Sequence, residues 1–152
     1  MPLVTLGRMG SRYKLGLNAP AIGDHLRLRK DTGLSPKTKA QAEPIFDNTW
    51  LWVRLDNTET GQTVGMGRVI GVGGWCFLIA DMETNPDHQR QGIGRAILHE
   101  LLDGILTAAP DDPYIVLTAD ASGRPLYQSM GVVETAPRSI GMSYVAERKR
   151  KY

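Results

Sequence analysis

One stretch of this chain dictates much of what surrounds it. A strand-type run, Trp75 to Glu83 (WCFLIADME), is closed by Pro86 and passes through a loop carrying Gly92 and Gly94. From Ile93 the apolar residues Ile97, Leu98, Leu101, Leu102, Ile105 and Leu106 then recur at helical spacing, which predicts a long amphipathic helix despite Gly104. A strand and a helix joined this way must each bury one face, and the economical solution is a layered α/β domain.

The flanking segments supply the other layers. Thr49 to Leu55 (TWLWVRL) and Thr63 to Val72 (TVGMGRVIGV) lie on either side of a polar turn, Asp56 to Gln62, and read as an antiparallel hairpin. Gly65, Gly67 and Gly71 inside the second strand mark bulges or close backbone approach. Upstream, Arg12 to Leu17 predicts a first strand. Asn18 is placed to cap a helix with Pro20 in its first turn, Ile22 and Leu26 on its inner face and Gly33 at its exit. Ser35-Pro36 signals a second helix that Pro44 keeps short. Downstream come a buried-type strand at Tyr114 to Leu117, a short helix at Pro125 to Met130 closed by Gly131, and a final strand at Ile140 to Val145. The expectation is a mixed α/β fold of the α+β type, with a twisted, mainly antiparallel sheet flanked by helices. One domain spans residues 1–146, and a basic, frayed tail follows at 147–152.

Composition removes several function classes. The chain has 152 residues, 41% hydrophobic and 22% charged, a globular balance that argues against disorder. No apolar run approaches the roughly 20 residues of a membrane span, and Met1 to Gly10 lacks a signal-peptide layout. A single cysteine, Cys76, forms no internal disulfide; at the start of a strand it reads as a small buried hydrophobe. The net charge of +2 is concentrated at one end: without residues 147–152, 14 basic residues face 15 acidic ones. The body is therefore not a nucleic-acid binder, and the expected location is cytoplasmic, with only the basic tail pointing to a nuclear address. His99-Glu100-Leu101-Leu102-Asp103 falls one histidine short of a zinc motif and lies on the polar side of the long helix, so no metal is expected. His25 and His88 show no partner at readable spacing, and Trp50, Trp52 and Trp75 read equally as core or pocket wall.

The loop has a chemistry of its own. Gly92 and Gly94 stand at the start of a helix whose first-turn N–H groups lack intrahelical acceptors. The helix dipole favours an anion there, and Arg90 and Arg95 add side-chain charge. A phosphate or pyrophosphate site is one reading; a turn that only packs helix on strand is the other. The spacing excludes a P-loop, which needs Gly-Lys-Ser/Thr, and the dinucleotide fingerprint, whose third glycine would fall at Ile97.

Gln89-Arg90-Gln91-Gly92-Ile93-Gly94 resembles the Gln/Arg-x-x-Gly-x-Gly/Ala signature of the GNAT superfamily of N-acetyltransferases. Further on, Leu126-Tyr127-Gln128-Ser129-Met130-Gly131-Val132 is similar to the family's Leu-Tyr-x-x-x-Gly-Phe segment. Together the two motifs anchor roughly residues 49–146. The resemblance implies acetyl-CoA as co-substrate and a primary amine as acceptor. Backbone groups from Gln91 through Gly92, Ile93, Gly94 and Arg95 to Ala96 would hold the pyrophosphate, with Gln89 and Arg90 beside them. Met82, Glu83 and Thr84 would splay from the neighbouring strand and bond the pantetheine arm.

An alkyl ammonium has a pKa near 10.4, so freeing its lone pair at pH 7 costs about 4–5 kcal/mol and calls for a base. Asp81 and Glu83, two apart on one strand, share a face; either is a candidate, with Asp81 at the acidic position that the resemblance implies, as is a purely structural role for both. Tyr127 matches the family's general-acid tyrosine, suited to reprotonate the leaving thiolate. Two positions depart from the pattern. Asp120 stands where the family often has an asparagine touching the pantetheine amide, and an ionised aspartate accepts but does not donate. Val132 replaces a phenylalanine. The expected activity is direct acetyl transfer to an amine of a small molecule or a peptide or protein. The rival is a CoA-binding sensor or interaction module without turnover. No membrane partner is expected, and both a monomer and a homodimer fit the sequence.

Overall fold

The computed structural model describes residues 9–144. The chain divides into two compact units, Met1–Leu117 and Thr118–Tyr152. The first holds strands β1 (Tyr13–Gly16), β2 (Leu51–Asn57), β3 (Thr63–Gly71), β4 (Cys76–Thr84) and β5 (Tyr114–Val116). Its helices are α1 (Ile22–Asp31), α2 (Lys39–Asp47) and α3 (Ile93–Ala108). The five strands form one sheet in chain order. Pairs β1–β2, β2–β3 and β3–β4 are antiparallel and β4–β5 is parallel. The mixed α/β architecture with a mainly antiparallel sheet is the one expected.

The β2–β3 hairpin closes through chemistry local to Asn57. Its Oδ1 accepts from the Glu59 and Thr60 N–H groups, at 2.8 and 3.4 Å, and Gly61 takes the left-handed conformation the turn needs (φ 70°). Close approach explains two glycines of β3. A Cβ at Gly67 would lie 2.6 Å from Met82 Sδ and 2.9 Å from both Ile97 and Leu101; one at Gly65 would collide with Ile93 and Ile97. Helix α3 thus rests on bare backbone, with Ile93, Ala96, Ile97, Leu98, Leu101 and Ile105 buried beneath it. Leu106, expected in this stripe, is 63% exposed.

The other face carries α1 and α2 over Leu28, Trp52 and Met66. Here the sequence reading needs correction. Asn18 does not cap α1: its Oδ1 accepts from Arg54 Nε at 3.3 Å, and the helix starts after Ala21, which makes no side-chain cap. The buried residues of α1 are His25 and Leu28, not Ile22 and Leu26, because His25 fits edge-on against Phe46 and Trp52 where apolar periodicity counts only hydrocarbons. Gly33 does close the helix (φ 80°), with Gly33 N–H donating to the Lys30 carbonyl and Leu34 N–H to that of Arg29, the paired bonds of a Schellman exit. Helix α2 begins at Thr38, in a reciprocal capping box with Gln41, and runs through Pro44 to Asp47. Side chains stand in at its end: Asn48 Nδ2 donates to the Pro44 carbonyl at 2.7 Å and Thr49 Oγ1 to that of Ile45 at 2.6 Å.

Further differences concern the ends of strands. Cys76 is exposed, not buried, because it opens β4 at the sheet's rim, next to Trp75 at 67% exposure. Trp52 belongs to the core, and Trp50 packs on Phe77 with ring centroids 4.9 Å apart. Tyr114 is 46% exposed and Ile115 and Val116 are half-buried, so β5 is not the buried-type strand expected.

The second unit contains helix α4 (Arg124–Ser129). Gly131 follows it in the left-handed conformation (φ 87°), as expected for its exit. Residues 140–144 are not a strand; Val145 and the basic tail lie outside the described residues.

Candidate active site

The site begins with an irregularity in β4. Arg68 pairs with Ala80 and Met66 with Glu83, so two residues of β4, Asp81 and Met82, stand opposite the single residue Gly67. The extra residue is a β-bulge, and Asp81 takes a left-handed backbone (φ 51°). Met82 turns toward α3, its sulfur being the nearest atom to a Cβ built on Gly67. Asp81 and Glu83 both turn toward α1, where Arg29 meets them.

The two carboxylates then part ways. Asp81 is fully engaged: Arg29 Nη1 donates to Oδ1 at 2.6 Å and Arg68 Nε to Oδ2 at 2.6 Å. Glu83 is 4% exposed, and neither carboxyl oxygen has a hydrogen-bond partner; the nearest cation is Arg29 Nη1 at 3.8 Å from Oε1. An ionised carboxylate so placed gives up hydration without replacement. Burial first, and then the negative charge of Asp81, push the Glu83 pKa up to about 8 against the pull of Arg29 and Thr32. The Thr32 hydroxyl itself donates to the Leu28 carbonyl at 2.8 Å. Two more buried polar atoms nearby lack partners, His25 Nδ1 and Trp52 Nε1. Burial lowers the His25 pKa, opposed by Asp81 and reinforced by Arg29 and Arg68, which keeps the ring neutral.

At the same level, the edge of β4 away from β3 has no strand paired to it among the described residues. Pairing with β5 covers Cys76 to Leu78 only, so Met82, Glu83 and Thr84 have no β5 partner. Beyond Thr84 the chain makes a single turn at Pro86–His88, with Asn85 Oδ1 accepting from Asp87 N–H at 2.9 Å. It then reaches Gly92, the left-handed N-cap of α3 (φ 84°). Gln89, Arg90, Gln91 and Arg95 are exposed, whereas Ile93 and Ala96 bury their side chains. The helix therefore offers its first-turn backbone outward and its side chains inward. The loop is braced from β1: Tyr13 Oη donates to Gln91 Oε1 at 2.7 Å and lies 2.7 Å from His88 Nδ1, and Arg12 Nη1 reaches Gln91 Oε1 at 3.4 Å. His88 thus has the partner that spacing did not reveal.

The first unit brings the carboxylates, the open strand edge and the glycine loop together. Asp120 and Tyr127 belong to the second. There the Asp120 carbonyl accepts from the Gly123 and Arg124 N–H groups at 3.0 and 3.2 Å, just ahead of α4, while the Asp120 side chain is exposed. Tyr127 is half-buried; burial and then the charge of Asp120 raise its pKa, holding the phenol in its protonated form. Among the described residues, no group of three or more His, Cys, Asp or Glu is placed to hold a metal ion, and no helix is long and apolar enough to cross a membrane. Sequence reasoning missed Arg29, Arg68 and Tyr13. Arg29 and Tyr13 act across more than 50 positions of chain; Arg68 acts across 13, from the neighbouring strand, and the alternation of Trp52, Met66 and Arg68 on one sheet face hints at it.

Comparison with known proteins places this geometry. The family model for the acetyltransferase (GNAT) domain matches residues 47–134. A probable acetyltransferase of unknown function from meticillin-resistant Staphylococcus aureus is 33% identical, with a TM-score of 0.82 over 88% of this chain and 99% of that one. Glucosamine-6-phosphate N-acetyltransferase from Arabidopsis thaliana shares the fold at 15% identity (TM-score 0.64, covering 88% and 97%). So does the ribosomal-protein-S18-alanine N-acetyltransferase of Escherichia coli, at 19% identity (TM-score 0.63, covering 78% and 76%). Among curated proteins there is no significant match. With the family model spanning more than half its length, the chain belongs to the GNAT acetyltransferase family.

Proposed function

We propose that this protein is an acetyl-CoA-dependent N-acetyltransferase that moves the acetyl group directly to a primary amine, with Glu83 as the base. The observation that carries the reading is the buried Glu83 carboxyl, both oxygens without a hydrogen bond, on the stretch of β4 that β5 does not pair. Its raised pKa places it near neutrality, where a general base works best. The chain's own groups suit the co-substrate. The first-turn N–H groups of α3 favour a pyrophosphate, and the edge of Met82 to Thr84 that faces away from β3, which β5 does not pair, is suited to bond an extended amide chain. Bound acetyl-CoA supplies an activated acetyl carbonyl and a thiolate leaving group.

Glu83 takes the proton from the acceptor ammonium. The freed nitrogen would form its bond to the acetyl carbon and shed its second proton as the carbon–sulfur bond breaks; Tyr127, assigned by its place in the family motif, would give its proton to the thiolate and be reprotonated by the one the nitrogen sheds. Asp81, spent on two arginines, has no free oxygen for this work. Cys76 is exposed at the rim and has no base at a readable spacing in the sequence, which favours direct transfer over an acetyl-cysteine route. The related folds act on a sugar phosphate in one case and a ribosomal-protein alanine in the other, so the fold leaves the amine's bearer open.

Calorimetric titration with acetyl-CoA, with ATP as control, is the first test. Binding in the micromolar range that Gly94→Glu abolishes is the expected result; no binding would overturn the reading. Thiol release against a panel of amines is the second. Tyr127→Phe is expected to lower kcat by about 10²-fold or more while leaving acetyl-CoA affinity in place. Tight binding with no thiol release from any amine would favour a sensor instead.

A further inference from the structure

We propose that Asp81 is a positioning residue that acts through Glu83, by capturing the Arg29 guanidinium that would otherwise neutralise it. The inference rests on reading Glu83 as the base. Its core is that one atom serves two carboxylates: Arg29 Nη1 lies 2.6 Å from Asp81 Oδ1 and 3.8 Å from Glu83 Oε1. A guanidinium between two acids goes to the one prepared for it, and here that is Asp81. Arg68 Nε, 2.6 Å from Oδ2, fixes the Asp81 carboxylate from the other side, and the left-handed bulge (φ 51°) carries it toward α1. Both Asp81 oxygens are thereby satisfied while both Glu83 oxygens remain without a hydrogen bond. A base must have a lone pair to offer; a carboxylate gripped by arginine has lost most of its basicity.

The charged and titratable groups around this point are Asp81 on β4, Arg29 and His25 on α1, and Arg68 on β3. His25 is held neutral by burial, so the balance lies among the two arginines and two acids. Removing the Asp81 charge acts twice in one direction. It ends a repulsion that disfavours ionised Glu83, and it releases Arg29 to close on Oε1. Removing Arg29 acts the opposite way. An ion pair that served only to tie α1 to the sheet would cost stability from either side and leave the titration of Glu83 where it was.

The experiment follows the side-chain carboxyl carbons of the full chain by NMR, with glutamate labelled with ¹³C and the Glu83 signal assigned by its loss in Glu83→Gln. In Asp81→Asn the Glu83 midpoint is expected to fall by about one pH unit or more; in Arg29→Gln it is expected to rise by a similar amount. Asparagine tolerates the left-handed backbone, so the bulge survives the first change. The double variant Asp81→Asn/Arg29→Gln is expected to return toward the wild-type midpoint, and to recover part of an approximately tenfold or greater loss of kcat/KM in Asp81→Asn. An unmoved midpoint in Asp81→Asn, or shifts of the same sign in both single variants, would overturn the inference. Should Asp81→Asn fail to fold, Arg29→Gln decides alone, since Asp81 keeps Arg68 there: a midpoint that does not rise refutes the proposal. The titration reads Glu83 without turnover. Full activity in Glu83→Gln would therefore sink the base assignment separately.

Discussion

The two faces of the sheet solve opposite problems. Under α3 the contact is all hydrocarbon on bare backbone: Gly65 and Gly67 let Ile93, Ile97 and Leu101 approach without a side chain between. Under α1 the same strands present Arg68, Asp81 and Glu83, with polar atoms of His25, Trp52 and Glu83 left unbonded. The first face maximises packing; the second gives up stability to keep charged groups out of water and incompletely paired. Such a division suits the proposed function, in which one layer holds the fold and the other would carry the base.

Three changes would break or sharpen this contrast. The largest effect belongs to the chemical face. Glu83→Gln should stabilise the protein in a pH-dependent way. The Glu83 pKa is raised from 4.5 in the unfolded chain to about 8 in the fold. Between those values the unfolded state releases a proton that the folded state keeps, so wild-type stability falls as pH rises through this window. Below it both states are protonated and the penalty vanishes. The advantage of Glu83→Gln should therefore grow from pH 4.5 toward pH 8, reaching about 4–5 kcal/mol; a flat difference across that range would contradict the buried carboxyl.

On the packed face, Gly67→Val drives a branched side chain into Ile97, Leu101 and Met82 and should cost about 3 kcal/mol, read as a lower urea midpoint; an unchanged midpoint would mean that α3 can slide. The smallest effect lies at the start of α2, away from the charged cluster: Thr38→Ala removes its capping box and should cost about 1 kcal/mol, visible as a lower Tm with acetyl-CoA affinity unchanged.

The two faces also differ in how much of them could be read from sequence. Helix α3, the hairpin and the strand before Pro86 were legible because hydrocarbon periodicity and turn residues are local signals. The glycine loop was legible for the same reason, as was the pairing of Asp81 and Glu83 as candidates. What separated those two acids was not: Arg29 lies 52 positions from Asp81, and no spacing rule tells which carboxylate an arginine will choose. The bulge that re-aims Asp81 also left no local trace beyond the glycine opposite it. Asn18 misled because a side chain suited to capping was claimed by Arg54, a tertiary competitor. His25 misled because burial beside aromatic rings outweighed its polarity.

The bracing of the loop by Tyr13 has a practical consequence. Its hydroxyl joins β1 to His88 and Gln91 over more than 70 positions of chain, so the first strand is an abutment for the loop proposed as the anion cradle. Anything that loosens β1, a purification tag fused ahead of it included, should surface as weakened acetyl-CoA affinity. A binding defect in such a preparation would be a fault in the foundation and not in the cradle itself.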